Sequence, residues 1–394
     1  MQILPQTELD FSDVLIKPRR STICSRKDAN IVREYKFKWF KRTVKGTGIM
    51  NANMGTIGNF NVAKAMLDDG LFTCLHKHHK KENLFEFYKT LKTNPDSFFR
   101  CFLSIGLKDN GLEKIEYLYK HLDEVPPICI DVPNGYIPQV KELVMKIREK
   151  YPDCLLMVGN VVTGDIVEDL ILSGADVLKS GLGSGGQCRT RAITGVGRPQ
   201  FSAVVECADA AHQVGGMVCS DGGITCPGDI SKAFGAGADL VMIGSLYAGT
   251  DEADGEIIYE EEFTNTYSPD YYLNTETGEI CSEQVNGNEQ PVFVDKTHRK
   301  KILRKYKKFY GMSSTLAQET FGNGKPNYRA SEGRVSLVPY SGSVKDVNEE
   351  FLGGLRSTMT YIGASKLKDI PKCCVFYRVN NQLNRSYEQT TIGK

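Results

Sequence analysis

The chain has 394 residues, 41% of them hydrophobic, with 49 basic and 48 acidic side chains. That composition supports a large core, and the length suits one big α/β domain or two smaller ones. The balanced charge argues against a general nucleic-acid binder, and no apolar run reaches the roughly 18 residues of a membrane-spanning helix. Short apolar runs then recur along the chain and predict strands: 48–53, 71–75, 101–105, 128–131, 155–160, 177–180, 217–221 and 240–244. Helical segments with a period of about 3.6 lie between them, for example 137–151 and 163–173. Thr163 and Gly164 read as a helix start, and Gly174-Ala175-Asp176 as the turn into the next strand, repeated at Gly237-Ala238-Asp239.

Eight strand–helix alternations predict a (β/α)8 TIM barrel, with a doubly wound open sheet as the structural alternative. Several runs end in polar or glycine residues: Asn53, His76, Asp131, Asn160, Gly181, Asp221 and Gly244. In a barrel these ends converge on one mouth, where active sites lie. Residues 251–308 break the rhythm. They open acidic, close basic from Lys296 to Lys308, and are polar between. This segment reads as an inserted, solvated excursion or flap within a single catalytic domain spanning 1–394.

The loop after the sixth run, Gly181 to Arg191, holds four glycines in six residues and then Cys188. Glycines let a backbone approach a ligand closely, and the amides of such a loop can hold a phosphate. A thiol among those amides, with Arg189 and Arg191 beside it, is placed to act as a thiolate nucleophile. A glycine-rich surface loop with an incidental cysteine is the plain alternative. Most of the other eleven of the twelve cysteines are scattered in apolar runs, and none forms a C-x-x-C pair, which argues against a zinc ribbon. The adjacent Cys373 and Cys374 have the alternating setting of a strand. Residues 1–8 lack the blocks of a signal peptide, and 391–394 carry no lipidation or retrieval signal. Free buried thiols without a secretion signal point to a cytosolic location.

The motifs together resemble the IMP dehydrogenase/GMP reductase family, from Leu9 to Lys368 with the 251–308 excursion interrupting. Ile16–Thr22, Asn51–Met54, His76–His78, Ile130–Tyr136, Gly159–Gly164, Thr194–Gly197, Ser220–Gly223, Gly311–Ser314, Tyr328–Gly333 and Gly353–Thr358 carry the resemblance, and several look like the reductase branch. That branch implies the reduction of GMP by NADPH to IMP and ammonia, in a cytosolic homo-oligomer, usually a tetramer. The resemblance makes Cys188 the nucleophile and Thr190 with Glu332 the proton-handling pair. It assigns Asp221 to the ribose hydroxyls. Gly222, Gly223, Gly244, Ser245, Met312, Ser313, Ser314, Arg329, Ala330, Ser331 and Gly333 fall at the base and phosphate contacts. Lys77, Asp131, Val132, Pro133, Leu182, Gly183, Ser313, Tyr328, Arg329, Ser357, Thr358, Met359 and Thr360 match the NADPH channel. Ser25 and Arg26 match residues that serve a neighbouring subunit's cofactor. A monovalent cation, typically potassium, is implied at Gly183, Gly185, Cys188 and Arg191.

The chain departs from the family pattern at four places. Gly183-Ser184-Gly185-Gly186 stands where Gly-Pro-Gly-Ser is usual, so a hydroxyl expected at phosphate is missing at Gly186, and Ser245 is placed to recover it. Arg189 stands for a usual threonine, and Pro133 for a usual alanine, which removes a backbone donor. Two other readings remain: IMP dehydrogenase, whose regulatory insertion has no room between His76 and Phe102, and a non-catalytic nucleotide-binding protein on the same scaffold.

Overall fold

Eight parallel strands, nearly all of their residues buried, set the architecture: β1 (Thr43–Asn51), β2 (Leu71–Leu75), β3 (Cys101–Ile105), β4 (Ile128–Asp131), β5 (Leu156–Val161), β6 (Val177–Ser180), β7 (Met217–Asp221) and β8 (Leu240–Ile243). Each pairs with the next, and β8 returns to β1, with Val241 opposite Ile49 and Ile243 opposite Asn51. This closure makes a (β/α)8 barrel and rules out the open sheet. The computed structural model describes residues 3–107, 110–267, 272–274, 280–281, 289–291, 299–312, 314–321 and 332–380.

One principal helix follows each strand: α1 (Phe60–Asp68), α2 (Lys81–Leu91), α3 (Gly111–Leu122), α4 (Pro138–Lys150), α5 (Gly164–Leu172), α6 (Gln200–Gln213), α7 (Pro227–Gly235) and α8 (Val344–Ile362). The expected helices at 137–151 and 163–173 appear as α4 and α5. In α4, Pro138 occupies the first turn, where its missing N–H costs nothing. Val140, Val144 and Ile147 then fall on one face and are fully buried, each contributing about 1.5–3 kcal/mol. A charge at Val144 would break that face. α8 starts with a reciprocal cap between Ser343 and Asp346 and stops at Gly363, whose φ of 75° favours glycine.

The Cys373–Cys374 stretch is not a strand. Cys374 N–H donates to the Ile370 carbonyl, closing a helical turn, and the strand begins at Phe376 and pairs with Val14–Ile16. Among the described residues the cysteines are free. None of the described helices is long and apolar enough to cross a membrane.

An arm leaves the barrel after β8. Strand β9 (Ile257–Tyr267) pairs antiparallel with β10 (Arg299–Tyr310), and β10 with β11 (Val335–Pro339). The barrel end of this arm is packed rather than solvated: Tyr306, Lys307 and Phe309 are buried. Lys307 Nζ donates to the carbonyls of Thr250 (2.6 Å), Asp251 (3.2 Å) and Ala253 (2.6 Å), and burial lowers its pKa.

Candidate active site

Strand ends build one cavity of about 440 Å³, lined by Asn53, Asp131, Asn160, Gly181, Asp221 and Gly244 among others. Small-molecule sites span roughly 300–1,000 Å³. His76 was expected at this mouth and does not line it. Its ring is buried, stacked on His79 with centroids 3.8 Å apart, and burial pushes its pKa down to about 3. Lys77 and His78 line the cavity in its place, and His78 stacks on Phe321 at 4.4 Å.

The cysteine loop lines the same cavity. Gly183 sits at φ 79°, and a Cβ there would lie 2.4 Å from Cγ of Arg191, so only glycine fits. Cys188 N–H closes the loop on the Gly185 carbonyl at 2.8 Å. A backbone clasp then joins this loop to the segment that carries Glu332: Arg189 N–H donates to the Glu332 carbonyl (2.6 Å) and Arg334 N–H to the Gln187 carbonyl (3.1 Å). Gln187 Nε2 reinforces it through Ser336 Oγ at 2.8 Å. The clasp brings three side chains into line. The exposed Cys188 thiol donates to Thr190 Oγ1 at 3.1 Å, and that hydroxyl donates to Glu332 Oε2 at 2.8 Å. A nucleophile with a hydroxyl-bridged carboxylate can pass its proton away and return one to a leaving group.

A second polar group lies on the floor. Lys179, 3% exposed, sits between Asp221 (2.7 Å) and Asp131 (2.9 Å). Burial opposes its charge, but the two carboxylates outweigh burial and hold its pKa above the usual lysine range. Burial likewise disfavours ionised Asp131, yet Lys179 and then Lys77 keep its pKa below the usual carboxylate range. Asn160 Nδ2 also donates to Asp221, at 2.9 Å, while its buried Oδ1 has no partner. An orphaned acceptor beside a cavity is a feature that ligand or water satisfies.

The sequence model of the IMP dehydrogenase / GMP reductase domain matches residues 8–268 and 296–386, passing over 269–295. GMP reductase 2 of Homo sapiens is 41% identical over 382 residues, covering 97% of each chain. GMP reductase of Vibrio cholerae is 40% identical over 387 residues, covering 98% of this chain and 99% of its own, and that of Onchocerca volvulus is 41% identical over 388 residues, covering 98% and 95%. The chain belongs to the IMP dehydrogenase / GMP reductase family.

The cavity collects many of the residues that the family resemblance singled out: Cys188, Thr190, Glu332 and Gly333; Asp221, Gly222, Gly223, Gly244, Ser245 and Met312; and Lys77, Asp131, Val132, Pro133, Leu182, Gly183 and Gly185. Met312 Sδ accepts Gly55 N–H at 3.0 Å at the rim. A Cβ at Gly186 would meet nothing within 4 Å.

Others lie elsewhere. The Arg191 guanidinium turns away to pair with Asp10 (3.0 Å) and with the Arg198 carbonyl, which leaves its own carbonyl as the only donor toward a cation. Ser314 is buried and its Oγ accepts Ala317 N–H at 3.2 Å, capping a short helix. Ser25 and Arg26 are exposed on a turn that packs against α8, the helix carrying Ser357, Thr358, Met359 and Thr360. Met359 is fully buried there. Ser313, Tyr328, Arg329, Ala330 and Ser331 lie outside the described residues.

Lys179 was missed by reading the sequence. Its signal was a lone lysine in the apolar run Val177-Leu178-Lys179-Ser180, on the opposite face of the strand from Leu178.

Proposed function

We propose that this chain catalyses the NADPH-dependent reductive deamination of GMP to IMP and ammonia. The hydrogen-bonded run Cys188–Thr190–Glu332 at the cavity wall carries the reading, and the relatives named GMP reductase support it. Cys188 sulfur bonds to the purine carbon bearing the amine, its proton passing through Thr190 to Glu332. Glu332 returns a proton by the same path as the C–N bond breaks and ammonia leaves. Overall, GMP, the reduced cofactor and one proton give IMP, ammonia and the oxidised cofactor. When bound, the nicotinamide would supply a hydride to that same carbon; the Cys188–carbon bond then breaks, IMP leaves, and the sulfur departs as thiolate and takes up the one proton of the overall equation.

Lys77, Asp131, Val132, Pro133 and Leu182 would hold the nicotinamide, and this side of the cavity fits it by pairing apolar wall with one ammonium and one carboxylate. Asp221 takes the ribose hydroxyls as a two-oxygen acceptor. The amides of Gly222, Gly223 and Gly244 hold phosphate, with Ser245 supplying the hydroxyl that Gly186 lacks. The carbonyls of Gly183, Gly185, Cys188 and Arg191 would offer potassium oxygen donors, the ligand type that a hard cation prefers.

Ser25 and Arg26 lie outside their own chain's cavity, which fits a role toward a neighbouring subunit in a homo-oligomer; the tetramer follows the family pattern. The buried free thiols favour the cytosol. The arm within 251–308 acts as a flap over the bound nucleotide.

The test is NADPH oxidation followed by absorbance with GMP, beside NAD reduction with IMP. GMP-dependent oxidation is expected. IMP-dependent NAD reduction alone would identify an IMP dehydrogenase, and silence in both assays a nucleotide-binding protein.

A further inference from the structure

Lys179 has no role in the reaction just described, yet it touches both halves of the cavity. It stands on β6, and its partners stand at the ends of β4 (Asp131) and β7 (Asp221). One ammonium therefore spans the floor from the nucleotide side to the cofactor side. A buried ammonium is costly unless paired, and an apolar residue would fill this strand position without that cost. The stem is confined as well: a Cβ on Gly159 would lie 2.5 Å from the Lys179 Cβ. The ammonium itself is buried and paired to both carboxylates at once, so it ties Asp131 and Asp221 to one point.

We propose that Lys179 is a positioning residue for both ligands, holding Asp221 aimed at the nucleotide and Asp131 aimed at the cofactor. The inference rests on the nucleotide reading above. The charged and titratable groups that face this site are Asp131, Asp221, Lys77, Cys129 and Cys219. Lys77 is the other cation acting on Asp131. Without Lys179, Asp131 loses its largest stabilising partner and keeps Lys77 and a hydrogen bond from Asn53 against the burial that disfavours its ionised form. Among the described residues, Asp221 keeps the Asn160 amide on its side chain.

The test measures GMP and NADP+ binding separately by calorimetry in the full-length wild type, Lys179→Met, Lys179→Arg, Asp221→Asn and Asp131→Asn, with thermal melts for each. Lys179→Met is expected to weaken both ligands by about tenfold. Asp221→Asn should weaken GMP alone, and Asp131→Asn should weaken NADP+ alone. The acid limb of NADP+ binding should move to higher pH in Lys179→Met, because Asp131 then protonates more readily. Lys179→Arg restores the charge and should return that limb to its wild-type position, which a purely structural role for the side chain would not predict.

A Lys179→Met protein with wild-type affinity for either ligand would overturn the inference alone. If Lys179→Met does not fold, the two carboxylate variants decide: Asp131→Asn with unchanged NADP+ affinity, or Asp221→Asn with unchanged GMP affinity, overturns it. A wild type that binds no GMP overturns the nucleotide reading and this inference with it.

Discussion

Thr190 donates its hydroxyl proton to Glu332 across 2.8 Å, though 142 residues separate them in the chain. Cys188 reaches the same hydroxyl at 3.1 Å. The backbone clasp of Gln187 and Arg189 on Glu332 and Arg334 fixes this relationship, so the side chains arrive already aligned.

Cys188→Ala should abolish turnover and leave GMP binding intact, since no other atom there can form the purine adduct. Thr190→Ala and Glu332→Gln should each lower kcat by about 10²–10⁴-fold, the usual worth of positioned proton transfer. NADPH oxidation and GMP calorimetry on the three variants check this. Substantial activity in Cys188→Ala would remove the covalent mechanism.

Cofactor choice should depend on Arg26. A guanidinium holds a 2′-phosphate in a fork, and losing one charge-assisted contact costs about 1.5–3 kcal/mol. Arg26→Ala should therefore raise KM for NADPH by about 10- to 150-fold and leave KM for NADH unchanged. An equal effect on both cofactors would show that Arg26 does not read the phosphate.

Gly186→Ser should bind GMP more tightly. The added Cβ meets nothing within 4 Å, so the fold accepts it. A hydroxyl regained at phosphate should lower KM for GMP by about tenfold, and the gain should shrink with guanosine as the titrant. In the same series Ser245→Ala should cost wild type more than Gly186→Ser protein. No gain in the first variant would place the phosphate elsewhere.

Acid should weaken the fold through His76. Burial holds its folded pKa at about 3, while an exposed histidine titrates near 6.5. Its contribution to stability is therefore full above about pH 6.5 and declines toward about pH 3, because the unfolded chain takes a proton that the buried ring refuses. Urea unfolding at about pH 7.5 and about pH 5 should show this loss, and a His76→Asn variant should show less of it. Parallel curves for the two proteins would assign the acid sensitivity to other groups.

Replacing residues 259–304 with a short Gly/Ser linker should leave the barrel folded and lower kcat/KM for GMP. The cut spares Lys307 and its three carbonyl partners, which anchor the arm. A fall of more than about 10 °C in Tm would make the removed segment part of the core, and unchanged kinetics would remove its role as a flap.

Local pattern along the chain determined eight strand–helix repeats, and the closure of β8 onto β1 decided the barrel over the open sheet. Each strand is a short run buried against helices on one side and the barrel interior on the other, so it must be apolar, and each helix shows its own stripe. The cysteine loop was legible for the same reason: backbone geometry near Gly183 admits only glycine, and that requirement is local. Tertiary structure decided the rest, because it depends on which strand ends meet. Lys179 looked like one odd residue in an apolar run until closure of the barrel set it between Asp131 and Asp221. His76 left the mouth because stacking on His79 buried its ring. Tyr306, Lys307 and Phe309 sat in what read as a polar excursion, and became buried only because β10 folds back onto the turn at 250–253. Burial and ion pairing are sums over neighbours distant in sequence, and no local period encodes them.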